Sequence, residues 1–341
     1  MDDSTRREFL EASLLSATAL ESCAGRASQA PLHVMPRKEF EPAYLKLERA
    51  GELAKRAPEL YSIYRSCRLC PRRCGVNRLK GETGVCSSTS RAKVYSIHPH
   101  FGEERPLVGR RGSGTIFFSN CNLLCVFCQN WEISHRGDGS FVSDDTIGRF
   151  MMDLQEMGCH NINFVTPTHC VPNIVQGVRS AIRRGLRLPL VYNCGGYDPV
   201  EIIRLLDGIV DIYMPDFKYT DGAMAEKYSS GARDYPEVAA AAIEEMHRQV
   251  GELVVDESGI ALRGLIIRHL VMPNNIAGTD KFVRWVAQKL TPGTYVNIMA
   301  QYRPEHKAFE YPEISRRITR GEFEQAIRWA REAGLTRLDK G

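Results

Sequence analysis

From residue 114 to residue 300, short apolar runs alternate with stretches of helical periodicity, and this alternation narrows the fold more than any other feature. The run 114–119 (GTIFFS) reads as a strand. Ser143 caps a helix over 143–157, and Gly158 suits the position just past its end. The runs 161–166, 188–192, 209–214, 265–271 and 295–300 supply five more strands. Further helices are expected over 174–184, from an Asp198-Pro199 start, and over 236–250, 281–290 and 322–333. Strand–helix repeats with short connections require parallel strands and right-handed crossovers. Six repeats are too few to close an eight-stranded barrel. The expected fold class is α/β, a partial (β/α)6 TIM-type barrel over 113–310 with an N-terminal Cys-rich extension.

The flanking segments read differently. Residues 31–66 form an expected helical arm, carried by Tyr44, Leu45, Leu47, Leu53 and Ala54 at helical intervals. Residues 67–112 are rich in Cys, Arg and Gly, and 311–341 read as a C-terminal helical segment. The first thirty residues carry TRREFL at 5–10 and a modest apolar stretch at 12–20, similar to a twin-arginine (Tat) export signal; the alternative is a disordered basic tail. A net charge of +4, from 45 basic and 41 acidic residues spread along the chain, gives no footprint for nucleic acid. No apolar run is long enough for a stable membrane span.

Eleven cysteines are unusual for a chain with ample core, and their spacing matters more than their number. Cys67, Cys70, Cys74 and Cys86 form one group, and Cys121, Cys125 and Cys128 a second. Cysteines two or three residues apart share a centre more readily than they reach distant partners, so metal or iron–sulfur ligation is favoured over disulfides. The second group, Cys-x3-Cys-x2-Cys, begins directly after the first strand, at the carboxyl end of the sheet where barrel active sites are built. Four-iron clusters usually take four cysteines. Three leave one iron open, as catalytic metal sites keep an open position.

This spacing, with Phe127 before the last cysteine, resembles the signature of the radical S-adenosylmethionine (SAM) superfamily. The stretch 112–131 (GSGTIFFSNCNLLCVFCQNW) more closely resembles the branch related to pyruvate formate-lyase activating enzymes, in particular PflX-like proteins. The resemblance implies a [4Fe-4S] cluster on Cys121, Cys125 and Cys128 whose open iron chelates SAM. Reductive cleavage then gives a 5′-deoxyadenosyl radical that abstracts hydrogen. It also implies cofactor contacts at successive strand ends. Phe127 and Gln129 lie in the cysteine loop. Thr166 stands where relatives carry Gly-Gly-Glu. Asn193 ends the third strand, Asp216 and Lys218 match an Asp-x-Lys motif, and Arg268 lies late in the fifth strand. Relatives place a His near the sixth strand; here 301–303 reads Gln-Tyr-Arg. His169 is read as a structural histidine, and Cys159, Cys170 and Cys194 as small buried residues, the last two close to strand ends.

The first cysteine group offers four thiolates, a closed site for either zinc or an auxiliary cluster, with Arg68, Arg72, Arg73 and Arg78 to balance charge. The expected function is reductive SAM cleavage for hydrogen abstraction from a protein or peptide, with glycyl radical activation suggested by the resemblance. A small-molecule substrate and a non-catalytic electron carrier are the rivals. The chemistry calls for a low-potential donor such as flavodoxin or ferredoxin and for a cytoplasmic setting, against which Arg6 and Arg7 point outward.

Overall fold

The computed structural model describes residues 31–339. Six strands form where the apolar runs were read: β1 (Ser113–Phe118), β2 (Ile162–Val165), β3 (Leu190–Cys194), β4 (Ile212–Pro215), β5 (Ala261–Leu270) and β6 (Tyr295–Met299). Each is parallel to the next in that order. They are apolar on both faces because helices cover the outside and an interior cluster fills the inside. Val191, Ile212, Met214, Ile266 and Tyr295 point inward and meet Leu107 there. The helices Asp144–Glu156, Val171–Arg183 and Tyr235–Val250 belong to the outer layer, each with one buried face. Ser143 caps its helix as expected, accepting from the Thr146 amide at 3.1 Å.

The barrel is partial, as expected. β1 is flanked on its free side by an antiparallel strand, Lys93–His100, which in turn pairs with the short Ser140–Phe141. Among the described residues no pairing joins this end of the sheet to β6, and the wall stays open there.

Several local readings are corrected. The 67–112 segment holds more than its cysteines: Lys93–His100 extends the sheet, and 103–107 turns under the barrel. Its alternation was masked by Pro99 and three polar residues on the inward face, which reads as loop chemistry. The helical arm contains two helices, Ala43–Arg49 and Glu52–Ser62, but opens with a strand, His33–Val34, against Val254–Val255. Asp198 caps nothing. Pro199 is the cap residue of Val200–Leu205, while Asp198 is buried and accepts from the Tyr192 hydroxyl at 2.9 Å. The twin-arginine-like stretch lies outside the described residues, and no described helix is long and apolar enough to cross a membrane.

Candidate cofactor site

The loop after β1 carries Cys121, Cys125 and Cys128 to the carboxyl ends of the strands, and all three border one cavity of about 260 Å³. The loop turns through left-handed conformations at Asn120 (φ 75°) and Leu124 (φ 50°), and Thr166 at the end of β2 does the same (φ 59°). Such residues cost roughly 1–3 kcal/mol each and persist where surrounding structure over-determines them. That structure is present. The Asn122 side chain donates to the Tyr197 carbonyl at 2.8 Å, and the Val126 amide to Tyr228 at 2.9 Å. Arg72 donates to the carbonyls of Asn122 (3.1 Å) and Ser229 (3.0 Å).

Each sulfur has a local polar contact. The Leu123 amide donates to Cys121 Sγ at 3.4 Å, Ser229 Oγ lies 3.0 Å from Cys125 Sγ, and Ser134 Oγ 3.1 Å from Cys128 Sγ. Burial pushes the Cys125 thiol up to about 12 against the pull of Lys218, and raises Cys121 as well. Thiolates at this depth need a cation of their own, which an iron cluster supplies.

Every residue assigned to cofactor contact borders the same cavity. Phe127 packs against the rings of Tyr219 (6.3 Å) and Tyr302 (5.9 Å). Gln129 Nε2 donates to the Gln301 carbonyl at 3.2 Å. Opposite the cysteines, charged groups form a chain. Lys218 Nζ donates to Asp216 Oδ2 at 2.6 Å, Arg268 Nε to Asp216 Oδ1 at 2.8 Å, and Arg268 Nη2 to Asn193 Oδ1 at 2.7 Å. Burial would raise Asp216, but Arg268 and Lys218 outweigh it and hold the carboxyl below its usual range. Lys218 is held above its usual range, since Asp216 outweighs desolvation.

Two comparisons with known proteins bear on this loop and cavity. The family model described as the radical SAM superfamily matches residues 115–256, which hold the cysteine loop and the next three strands. The uncharacterized protein MJ0674 of Methanocaldococcus jannaschii is 36% identical over 284 residues, 80% of this chain and 77% of its own. The chain belongs to the radical SAM superfamily. Members cleave SAM by radical chemistry on a [4Fe-4S] cluster. Solved structural neighbours are more distant. HydG, a maturase of the [FeFe]-hydrogenase, shares 14% identity at a TM-score of 0.46, over 66% of this chain and 50% of its own. anSMEcpe with bound AdoMet shares 8% at 0.45, over 64% and 61%. The chain thus spans half of HydG and about three fifths of anSMEcpe.

The radical SAM site also has members outside the motif. Glu103, from the turn beneath the barrel, reaches Arg268 Nη1 (3.4 Å) and Asn193 Nδ2 (3.3 Å). Nothing marked it except two adjacent glutamates in a short turn. Cys194, Met299 and Leu270 line the cavity. Gln301 lines it too, while Tyr302 donates to the Ile314 carbonyl and Arg303 pairs with Glu305. His306, a few residues beyond the stretch compared with relatives, stacks on Trp131 at 5.2 Å and lies 4.4 Å from the His135 ring. His135 in turn bonds the Cys125 carbonyl at 3.1 Å. His169 is buried with its Nε2 bonded to the Ser119 carbonyl at 2.7 Å, and burial pushes it down to about 4.

The four cysteines from 67 to 86 lie within electrostatic reach of one another. Cys67 feels Cys74 and Cys86, and Cys70 feels Cys86 and Cys67. Gly84 passes so near that a Cβ there would meet Cys74 Sγ at 2.5 Å. Arg78, 1% exposed, donates to Cys86 Sγ at 3.0 Å and to the His169 carbonyl at 2.8 Å, with its guanidinium over the Tyr64 ring. Cys170, not part of the motif, is buried beside Arg78 and Cys86. Arg72 turns instead to the radical SAM loop, and Arg73 pairs with Glu201. Among the described residues, no three His, Cys, Asp or Glu side chains converge on a single ion.

Proposed function

We propose that this chain abstracts hydrogen from a protein or peptide substrate by reductive cleavage of SAM, with activation of a glycyl radical enzyme as the first candidate. The observation that carries the reading is the facing of Cys121, Cys125 and Cys128 and the Lys218–Asp216–Arg268 chain across one cavity. Cys121, Cys125 and Cys128 would hold the cluster. Asp216, Lys218, Arg268 and Asn193 suit the zwitterionic end of SAM, and Phe127, Gln129 and Thr166 the remainder. Bound there, the cluster and SAM supply an electron and a 5′-deoxyadenosyl radical. The chain's own residues do the rest. Ser229 and Ser134 lie within hydrogen-bonding distance of the Cys125 and Cys128 sulfurs, the buried Phe127, Tyr219 and Tyr302 rings pack against one another beside the loop, and the side of the barrel left unpaired would admit a protein or peptide.

The likeness of residues 112–131 to activating enzymes supports the glycyl radical assignment and the PflX-like branch. The reading further calls for a flavodoxin or ferredoxin as donor, and for action in the cytoplasm, where SAM and such donors are supplied. At the Cys67–Cys86 group, four thiols within electrostatic reach of one another suit a closed site for an auxiliary iron–sulfur cluster or zinc.

Anaerobic reconstitution with iron, sulfide, dithionite and SAM tests the reading. Formation of methionine and 5′-deoxyadenosine is expected, and its loss in Cys125→Ala. Protein carrying a full cluster but releasing no deoxyadenosine would refute it. Deuterium passing into deoxyadenosine from a labelled peptide, and not from small molecules, would fix the substrate class.

A further inference from the structure

Beside the first cysteine group lies a buried cation with no carboxylate partner. Arg78 is 1% exposed, and a guanidinium keeps its proton in any protein setting. Its Nη1 donates to the His169 carbonyl at 2.8 Å and its Nη2 to Cys86 Sγ at 3.0 Å, while the guanidinium lies over the Tyr64 ring. No carboxylate is among these contacts, and Nε is buried without a partner. A buried charge is strongly disfavoured until something of opposite sign meets it.

The surroundings supply little of that sign. Cys86, Cys67, Tyr64 and Cys170 are the ionisable groups that bear on Arg78 most. Burial pushes the Tyr64 phenol well above its usual range and the Cys170 thiol up to about 12. Asp144 is engaged elsewhere, accepting from Asn173 Nδ2 at 2.8 Å and from the Tyr61 hydroxyl. Nor do other cations compete for the sulfurs. Arg72 donates to backbone carbonyls, Arg73 pairs with Glu201, and Arg68 is exposed. Of the four arginines near this motif, Arg78 is the one whose guanidinium meets a sulfur.

What remains is the cysteine group itself. Cysteines bound to metal are thiolates. Four of them outweigh the charge of a zinc ion or of a four-iron core, so a filled centre here is a net anion. The chain is fitted to such a centre at two points. Gly84 passes where a Cβ would meet Cys74 Sγ at 2.5 Å, and Arg78 holds Cys86.

We propose that Arg78 is the counter-ion of an anionic, thiolate-ligated metal centre on Cys67, Cys70, Cys74 and Cys86, and a positioning residue for the Cys86 sulfur. The proposal rests on the reading of this group as a metal site. The His169 carbonyl fixes the guanidinium from its other arm, so the charge belongs to the fold and not to a surface side chain. A charge-assisted donor to a bound thiolate orients the ligand and favours the filled site over the empty one.

The test uses the full chain carrying Cys121→Ala, Cys125→Ala and Cys128→Ala, so that bound metal reports on the first group alone. Zinc alone, and iron with sulfide, are supplied anaerobically in separate arms, and retention is read by competition with EDTA. The arm that fills identifies the metal. In that arm R78M should hold the metal about tenfold more weakly, about 1.4 kcal/mol, and R78K, which keeps the charge, should lose less. Melting temperatures of the loaded and stripped chains separate this role from packing. R78M should narrow the gap between the two, because the gap measures metal affinity; lost packing alone would lower both and keep the gap. Should R78M not fold, R78Q serves as the neutral variant. Parental retention in the neutral variant, an unchanged gap, or R78K as weak as the neutral variant would overturn the proposal. A parent chain that takes up neither zinc nor iron would refute the metal-site reading instead.

Discussion

Arg268 Nε donates to Asp216 Oδ1 at 2.8 Å and so ties the end of β5 to the end of β4, directly across the cavity from the cysteine loop. A guanidinium there addresses Asp216, Asn193 and Glu103 from three nitrogens at once.

Arg268→Lys keeps the charge and loses that geometry, since an ammonium cannot serve three partners from a fixed fork. SAM affinity should fall at least tenfold, measured by dialysis, while cluster content by iron and sulfide analysis stays at the wild-type level.

Asp216→Asn is the more damaging change to the fold. It leaves two buried cations to share an amide, and breaking a buried pair from one side costs about 3–5 kcal/mol. The melting temperature of the purified protein should drop by several degrees. Asp216→Asn/Lys218→Met should recover part of that loss, because one uncompensated charge is gone.

Asp211 gives a pH dependence away from the site. Its carboxylate accepts the amides of Ala43 (2.9 Å) and Leu190 (3.0 Å), yet burial still pushes it up to about 7. A carboxyl raised on folding binds protons in the native state that the unfolded chain has released. Its contribution is therefore most favourable below about pH 4 and is lost as pH rises to about 7. The difference in melting temperature between wild type and Asp211→Asn should change across that window and level off above it.

Cys86→Ser removes the sulfur that Arg78 addresses at 3.0 Å. Iron content should fall by the amount of one centre, while SAM-dependent changes in the remaining spectrum persist. Full iron content in Cys86→Ser would count against an iron–sulfur cluster on this group.

The barrel was legible because its signal is periodic. Two-sided apolar runs such as IVDIYM, spaced by helical stretches, leave few ways to bury both faces. The cysteine loop was legible for a different reason: its spacing and its position after β1 are both local. The site's second half was readable only as far as strand ends could be counted, which sufficed for Asn193, Asp216, Lys218 and Arg268. Glu103 escaped because its role depends on a turn reaching 165 residues ahead to Arg268, and no local pattern encodes that meeting. The strand at Lys93–His100 escaped because its inward residues Ser96, His98 and His100 are polar, which erases the alternation expected of a half-buried strand. Asp198 was misread because an aspartate before a proline looks like a cap until its burial is seen.

Arg72 leaves the upper cysteine-rich loop between Cys70 and Cys74 and ends on the carbonyls of Asn122 and Ser229, one inside the SAM-binding loop and the other on the residue that touches Cys125. The loop that carries Cys121, Cys125 and Cys128 is therefore braced from outside the barrel, so a change confined to residues 67–86 reaches the groups beside Cys125 without altering any residue that borders the cavity.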